Sequence, residues 1–201
     1  MASIGLRYPV YAPLTEDDMA GTFQYGIGKV AAKAINVEMN LNIAESILYA
    51  DDTAAESVKE FIDGTFTFTA DDLDETVKAD WLGNTTETVT VNTEQVNVLV
   101  SKDEDMPGYF GFGFIVPKIK NNTRLYRAII FPKIQFKEPN ESAETKGQQI
   151  NWQTPQIEGR IFRRVDGVWK KEITVNSLAT AKAWLAQELN IAAEGGGEGG
   201  A

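Results

Sequence analysis

The sequence predicts a mainly β protein, an antiparallel β-sandwich or barrel with one short flanking helix and a C-terminal helix. Apolar and polar residues alternate strictly from Ile35 to Ile43, which indicates a strand with one buried face. Further alternating runs follow at short spacing, with turn-forming residues between them. That arrangement is typical of antiparallel sandwiches and barrels.

The first third of the chain predicts an arm, a long strand and a loop. Residues 1–28 are rich in proline and glycine, which predicts an extended arm with little regular structure. The alternation changes phase near Ala34, which indicates a β-bulge or a strand that changes its buried face. Residues 44–56 are acidic and contain several alanines, which predicts a loop, and alternation resumes over 58–68.

Two segments have helical spacing instead. Leu73, Val77 and Trp81 recur at the helical period, preceded by acids that favour a helix N-terminus and followed by Gly83 as a C-cap. A second helix is predicted after Ser177, which can cap it. Its apolar face consists of Leu178, Ala181, Leu185 and Leu189.

Strands dominate the rest of the chain. Phe110, Phe112 and Phe114 alternate with glycines, which predicts a strand with an aromatic core face. In 126–136 the apolar even-numbered residues are predicted to share one face. Because Pro132 cannot donate an N–H, this strand is predicted to lie at an edge or to be broken there. The pair Asp166-Gly167 between two alternating runs predicts a β-hairpin.

Composition argues against many kinds of chemistry. The 201 residues include no cysteine and no histidine, which excludes disulfides, Ser-His-Asp triads and thiolate or imidazole metal sites. The net charge of −10 is opposite to that of a nucleic-acid-binding protein, and it disfavours anionic membrane surfaces. We therefore expect a protein that is not an enzyme and has no cofactor.

The expected organisation is a single domain. The arm covers 1–25, one β-rich domain covers 26–192, and the Gly/Glu-rich residues 193–201 predict a flexible tail. The start of the sequence predicts no signal peptide, and no apolar run is long enough for a membrane span.

Several short strings resemble metal-binding or dinucleotide-binding motifs, but simpler explanations account for them better. Tyr49-Ala-Asp51-Asp52 has the form of a metal-binding polymerase motif, but an acidic loop explains it better. Gly26-x-Gly28-x-x-Ala31 has a dinucleotide-binding form but precedes a predicted strand instead of a helix, so flexible or closely packed glycines are favoured. The acids at 71–75 and 103–105 are explained by a helix N-terminus and a solvated turn.

One cluster of basic residues and two tryptophans each allow two interpretations. The basic residues are Arg160, Arg163, Arg164, Lys170 and Lys171, which would either meet a partner or pair with acids across strands. Trp152 and Trp169 are the best candidates for a sugar-binding surface in a lectin-like or receptor-binding module. They equally suit a core or an interface.

Several of these pieces occur together, in order, in the major tail proteins of long-tailed, non-contractile bacteriophages, and the chain resembles that family over 1–192. The matching segments are Gly5-Leu-Arg-Tyr-Pro-Val-Tyr-Ala, Gly26-Ile-Gly-Lys-Val-Ala, Leu48-Tyr-Ala-Asp-Asp, Gly64-Thr-Phe-Thr-Phe, Ala70-Asp-Asp-Leu to Trp81-Leu-Gly83, Gly111-Phe-Gly-Phe-Ile and Tyr126-Arg to Ile134, followed by a last helix.

The resemblance implies a structural virion protein that forms stacked hexameric rings, a tail tube through which DNA is ejected. Its partners would be itself, a tape-measure protein and tail terminator or distal tail proteins, with DNA passing non-specifically through an electronegative lumen. It would be found in the phage tail, and in the host cytoplasm before assembly. Segments 1–25, 44–57 and 177–192 would bridge neighbours. The candidate self-assembly residues are Tyr8, Tyr11, Leu14, Tyr49, Asp51, Asp52, Arg163, Arg164 and Trp184.

Overall fold

The structure is a computed structural model that describes residues 2–3, 5–50, 53–139 and 154–192. The strands it contains are β1 (Ala2–Ser3), β2 (Arg7–Asp17), β3 (Phe23–Tyr25), β4 (Lys29–Val30), β5 (Ala34–Ala50), β6 (Thr53–Ala70), β7 (Thr85–Val91), β8 (Glu94–Val100), β9 (Phe110–Lys120), β10 (Thr123–Phe136), β11 (Gln156–Phe162) and β12 (Lys171–Val175). The helices are α1 (Glu75–Leu82) and α2 (Leu178–Glu188). The predicted class is confirmed: mainly β, antiparallel, consistent with a sandwich, with one short mid-chain helix and one C-terminal helix.

One large antiparallel sheet contains most of the strands, in the order β3-β2-β9-β10-β11-β6-β5. β4 also pairs with β2, β1 with β9, and β12 with β10. The sheet curls back on itself. The rings of Phe66 on β6 and Phe112 on β9 lie 5.5 Å apart, although β10 and β11 stand between these two strands in the sheet. β7 and β8 form a separate two-stranded ribbon.

An aromatic core fills the concave side of the sheet. The Trp81 ring on α1 stacks on Phe136 at 3.9 Å and meets Phe68 and Tyr11 edge-on. Helix α1 is positioned by its caps: the Asp74 side chain accepts a hydrogen bond from Thr76 N at 2.8 Å, and Gly83 takes a left-handed φ of 76°. The predicted helix, its acidic start and its glycine C-cap are therefore confirmed.

Helix α2 covers the opposite face of the sheet and forms a second core. Ala181, Leu185 and Leu189 are fully buried there, as predicted. The glycines of β9 make this close approach possible, because a Cβ on Gly113 would lie 2.9 Å from Leu185 Cδ2 and one on Gly111 would lie 2.5 Å from Leu189 Cδ2. Ser177 occupies the N-cap position, but its side chain makes no capping hydrogen bond.

Strand β10 differs from the prediction at Pro132. The pairing with β9 shifts register between Phe131 and Ile134. As a result, the even-numbered residues before the shift and those after it point to opposite faces of the sheet. Ala128 and Ile130 belong to the α2 core, whereas Ile134 and Phe136 belong to the aromatic core. The strand continues through Pro132 with a shifted register and lies centrally in the sheet, so it is neither an edge strand nor broken, and its even-numbered residues do not share one face.

The pair Asp166-Gly167 forms a turn but not the predicted hairpin. Gly167 N donates to Arg164 O at 2.8 Å, with Gly167 at a φ of 82°. The strands on either side pair with β10 instead of with each other: β12 along Tyr126–Ile130 and β11 along Lys133–Phe136. The hairpin prediction was wrong because β10 offers one long edge to both strands.

Two segments predicted as irregular are strands. Arg7–Asp17 of the expected arm is β2, whose buried Val10 and Tyr11 pair with β9. Its strand pattern was hidden by two prolines and by Tyr8, which has a φ of 55°. Where the structure describes it, the expected loop over 44–56 is instead part of the β5–β6 hairpin. The two strands continue to pair with each other through these residues. Residues 51 and 52 lie outside the described residues.

We predict that Gly159→Ala destabilises the fold by about 1–3 kcal/mol, because a Cβ there would lie 2.1 Å from the buried Phe66 ring. Gly108→Ala is the matched control, since its Cβ would meet only the Phe110 ring at 3.6 Å. Urea unfolding measures both variants. Equal stability of the two variants would contradict this account of Gly159.

Candidate assembly surfaces

One of the predicted N-terminal site residues, Tyr11, lies inside the protomer. Tyr11 is 1% exposed, and its hydroxyl donates a hydrogen bond to Asp80 Oδ2 at 2.7 Å. Burial, followed by the hydrogen bond to Asp80 and the charge of that carboxylate, raises the pKa of Tyr11 well above its usual value. Lys29 Nζ contacts the same carboxylate at 2.6 Å. Tyr11 is thus a core residue that a neighbouring copy would not reach.

Tyr8, Leu14 and Trp184 lie at the border of the α2 core. All three are half-buried and pack against its fully buried residues. The Lys182 ammonium sits 4.3 Å from the centre of the Tyr8 ring. These residues attach the N-terminal strand to α2, and their exposed parts border the protein surface.

The acidic part of the predicted site follows the end of β5. Tyr49 lies in β5, paired with Ala54 of β6. Asp51 and Asp52 lie outside the described residues. Among the described residues, no group of three or more Asp or Glu side chains is arranged to hold a metal ion.

All five members of the basic concentration pair with acids of the same chain. The pairs are Arg160–Asp63, Arg163–Glu60, Arg164–Asp166, Lys170–Glu172 and Lys171–Glu188. Pairing with acids is therefore observed, but it runs across paired strands only for Arg160, whereas Arg164 and Lys170 pair locally and Lys171 pairs with α2. Of the two arginines named as candidate assembly residues, Arg163 is exposed and its pair with Glu60 lies at the surface, where such pairs contribute little to stability.

Arg164 instead holds β3 against the 164–168 turn. It is 3% exposed, and its guanidinium sits 3.2 Å from the centre of the Phe23 ring. Its Nε donates to Asp166 Oδ1 at 3.1 Å, and this hydrogen bond is the main reason that the pKa of Asp166 is lowered. Next to it, Asp17 Oδ1 accepts from Val165 N at 2.9 Å. Arg164 is thus a structural clamp between distant parts of the chain.

The apolar face of β5 is incompletely covered. Val37 lies opposite Phe68 and is half-buried, but Met39, Leu41 and Ile43 further along the same face are 43%, 36% and 48% exposed. β5 ends the strand order of the sheet, so its outer edge has no strand partner in the described chain. The strand predicted at 35–43 is confirmed, but its predicted burial is wrong except at the half-buried Val37, since Ile35 is also exposed.

The hairpin arm, defined as residues 42–50 of β5 and 53–63 of β6, extends beyond the strands that flank its base. β6 pairs with β11 only from Gly64 to Thr69, so in the arm it pairs with β5 alone. Phe61 anchors the base by stacking on Trp169 at 4.4 Å. This contact covers one face of Trp169, the described member of the two sugar-binding candidates; Trp152 lies outside the described residues.

The alternation of Val96, Val98 and Val100 predicts a strand, which is confirmed as β8, but its partner β7 was not predicted. One face of the β7–β8 ribbon carries Val89, Val91, Val96 and Val98, each between 37% and 51% exposed, and the other face carries threonine, asparagine and glutamine, with Leu99 at its base. An isolated two-stranded hairpin is marginally stable at best in water. The alternation in 85–91 was the signal that could have identified β7.

The glycines 26 and 28 serve packing. Gly28 N donates to Asn190 O at 3.0 Å, and a Cβ on Gly28 would lie 2.5 Å from the carbonyl oxygen of Leu189. A short strand follows, as expected from the sequence, and no helix begins there. The closely packed glycine explanation is therefore confirmed.

Comparison with protein-family models and with curated proteins finds no match for this chain. Neither helix in the described residues is long and apolar enough to cross a membrane. The function has to be inferred from the surfaces described above.

We predict that Glu172 contributes acid-sensitive stability. The hydrogen bond from Arg127, followed by that from Lys170, lowers the pKa of Glu172 to about 2, well below its ordinary value near 4.5. A carboxylate with a depressed pKa stabilises the fold above pH 4.5 and loses that contribution as the pH falls towards 2. Glu172→Gln should therefore show a shallower loss of urea stability across this range than the wild type does.

Glu94→Gln is the control for this measurement, because it removes an exposed carboxylate that has no ion pair in the described chain. Identical pH profiles for Glu172→Gln and the wild type would show that the Arg127–Glu172–Lys170 cluster adds nothing to stability.

Proposed function

We propose that this chain is a structural subunit of a phage tail tube, which assembles with copies of itself into rings that stack around a DNA conduit. The observation that supports the proposal best is the apolar face of β5, exposed beside an open sheet edge. Monomeric proteins usually protect such edges and cover such faces, because both promote association.

Edge pairing gives a physical route to a ring. The outer edges of β5 and of β12 have no strand partner in the described chain, and each can extend its sheet into a neighbour through backbone hydrogen bonds. A heterologous contact of this kind closes into a ring when the rotation between copies divides a full turn. Contacts between rings do not close, so they produce a tube of indefinite length.

The net charge favours a DNA conduit over a DNA-binding surface. The net charge of −10 repels DNA from the wall, and the basic concentration on β11 and β12 is paired with acids of the same chain. The tape-measure and tail-terminator partners, and the location in a virion, follow from the family resemblance and belong to this proposal.

We predict that the purified protein forms six-fold rings or tubes visible by negative-stain electron microscopy. Ile43→Lys should reduce their yield at least tenfold, because it places a charge on the exposed apolar face of β5. Asn40→Lys is the matched control on the polar face of the same strand and should assemble like the wild type.

Circular dichroism and urea unfolding should show that both lysine variants remain folded. A wild-type protein that stays monomeric at high concentration would count against the tail-tube proposal. Equal assembly of the two variants would show that the β5 face is not a contact surface.

A further inference from the structure

The β7–β8 ribbon and the β9–β10 turn stand at opposite ends of the protomer. The ribbon leaves the fold beside the start of β9: Asn84 and Ser101 at its base bond at 3.0 Å, and Trp81 just before it stacks on Phe136. The β9–β10 turn lies at the other end of β9, roughly 33 Å away along an eleven-residue strand. A seven-residue ribbon reaches about 23 Å, too short to touch that turn in its own chain.

The two features have complementary charge. Residues 85–100 contain Glu87 and Glu94 and no basic residue, and both glutamates share the face of the valines. The turn, residues 117–124, contains Lys118, Lys120 and Arg124 and no acid. None of these three cations has an ion pair within the described chain, unlike the five on β11 and β12.

The turn also presents an apolar contact on a rigid support. Ile119 is 40% exposed and lies directly across from Arg124, so an apolar and a basic side chain share one face. Asn121 and Asn122 both have positive φ, as a tight two-residue hairpin turn requires. The surface offered is therefore fixed in shape before any partner binds.

The hairpin arm is a weaker candidate for covering the valines. It extends towards the same end of the protomer as the β9–β10 turn, because β6 and β10 run in the same direction on either side of β11. Its three carboxylates with described side chains, Glu45, Glu60 and Asp63, are already paired with basic residues of the same chain. The described part of the arm therefore offers the acidic ribbon of a neighbouring copy no unpaired cation, whereas the turn does.

We propose that the valine face of the β7–β8 ribbon docks on the β9–β10 turn of a second copy of this chain. Since donor and acceptor surfaces are different and lie at opposite ends, the contact is heterologous and joins copies head to tail. The inference deepens the proposed tail-tube function and rests on it for the identity of the partner. It assigns the stacking contact to two specific surfaces.

Disulfide trapping tests the contact directly, because the chain contains no cysteine. We expect an equimolar mixture of Val96→Cys and Ile119→Cys chains to form a disulfide-linked dimer under mild oxidation. A chain carrying both substitutions should give a ladder of oligomers. Thr88→Cys is the matched control on the polar face of the ribbon, and with Ile119→Cys it should give at least tenfold less dimer.

Three outcomes would overturn the proposal. Val96→Cys linking efficiently to itself would indicate a symmetric ribbon-to-ribbon contact. Linking of Val96→Cys to Ile43→Cys in preference to Ile119→Cys would assign the hairpin arm as the partner. A yield no greater than that of the Thr88→Cys control would show that the valine face is not covered by the turn.

Charge exchange supplies an independent readout. Glu94→Lys on the valine face should lower assembly at least tenfold, as should Arg124→Glu on the Ile119 face of the turn, while a chain carrying both should regain it. If reversal at the turn abolished binding of a DNA oligonucleotide and left assembly unchanged, the turn would be a nucleic-acid contact and the proposal would fall.

The results separate the two proposals. Tubes seen by microscopy without Val96–Ile119 linkage would leave the tail-tube function standing and reject the ribbon contact. A linked ladder from a protein that never forms rings or tubes would support the ribbon contact and reject the tail tube.

Discussion

The register shift at Pro132 is the constraint on which the rest of the fold depends. Proline has no N–H to donate, so the ladder of β10 is interrupted there, and the strand changes which residues face each core. The Pro132 carbonyl accepts a hydrogen bond from the Tyr25 hydroxyl at 2.7 Å, which joins β3 to the middle of the sheet. Burial raises the pKa of Tyr25 to about 12, so this hydroxyl remains a donor at any physiological pH.

One strand, β10, contributes to both cores and pairs with two strands along one edge. Its first half pairs with β12 and buries Ala128 and Ile130 under α2, whereas its second half pairs with β11 and carries Phe136, which stacks on Trp81. The branch gives the sheet its curl and directs β11 towards β6. The long β5–β6 hairpin is therefore placed at the outside of the sheet, where its apolar face is only partly covered.

Charged residues are paired within the chain in one part of the described surface and unpaired in another. Around β11 and β12 every basic residue of the predicted concentration has an acidic partner, so that region stabilises the protomer. The valine ribbon and the β9–β10 turn carry charges of opposite sign without such partners in the described chain. The exposed apolar residues lie close to these unpaired charges and along β5, which suits surfaces meant for other copies of the same protein.

The sequence by itself determined the class of fold, the helices and the aromatic face of β9, because strict periodicity and capping residues act locally. It also limited the chemistry, since a chain without histidine and cysteine lacks the commonest catalytic and metal-binding groups. Tertiary structure decided that Tyr11 is buried, that Arg164 clamps Phe23 and that Met39, Leu41 and Ile43 remain exposed. An alternating pattern reveals that a face is apolar, but only the neighbouring strands in space determine whether the same chain covers it.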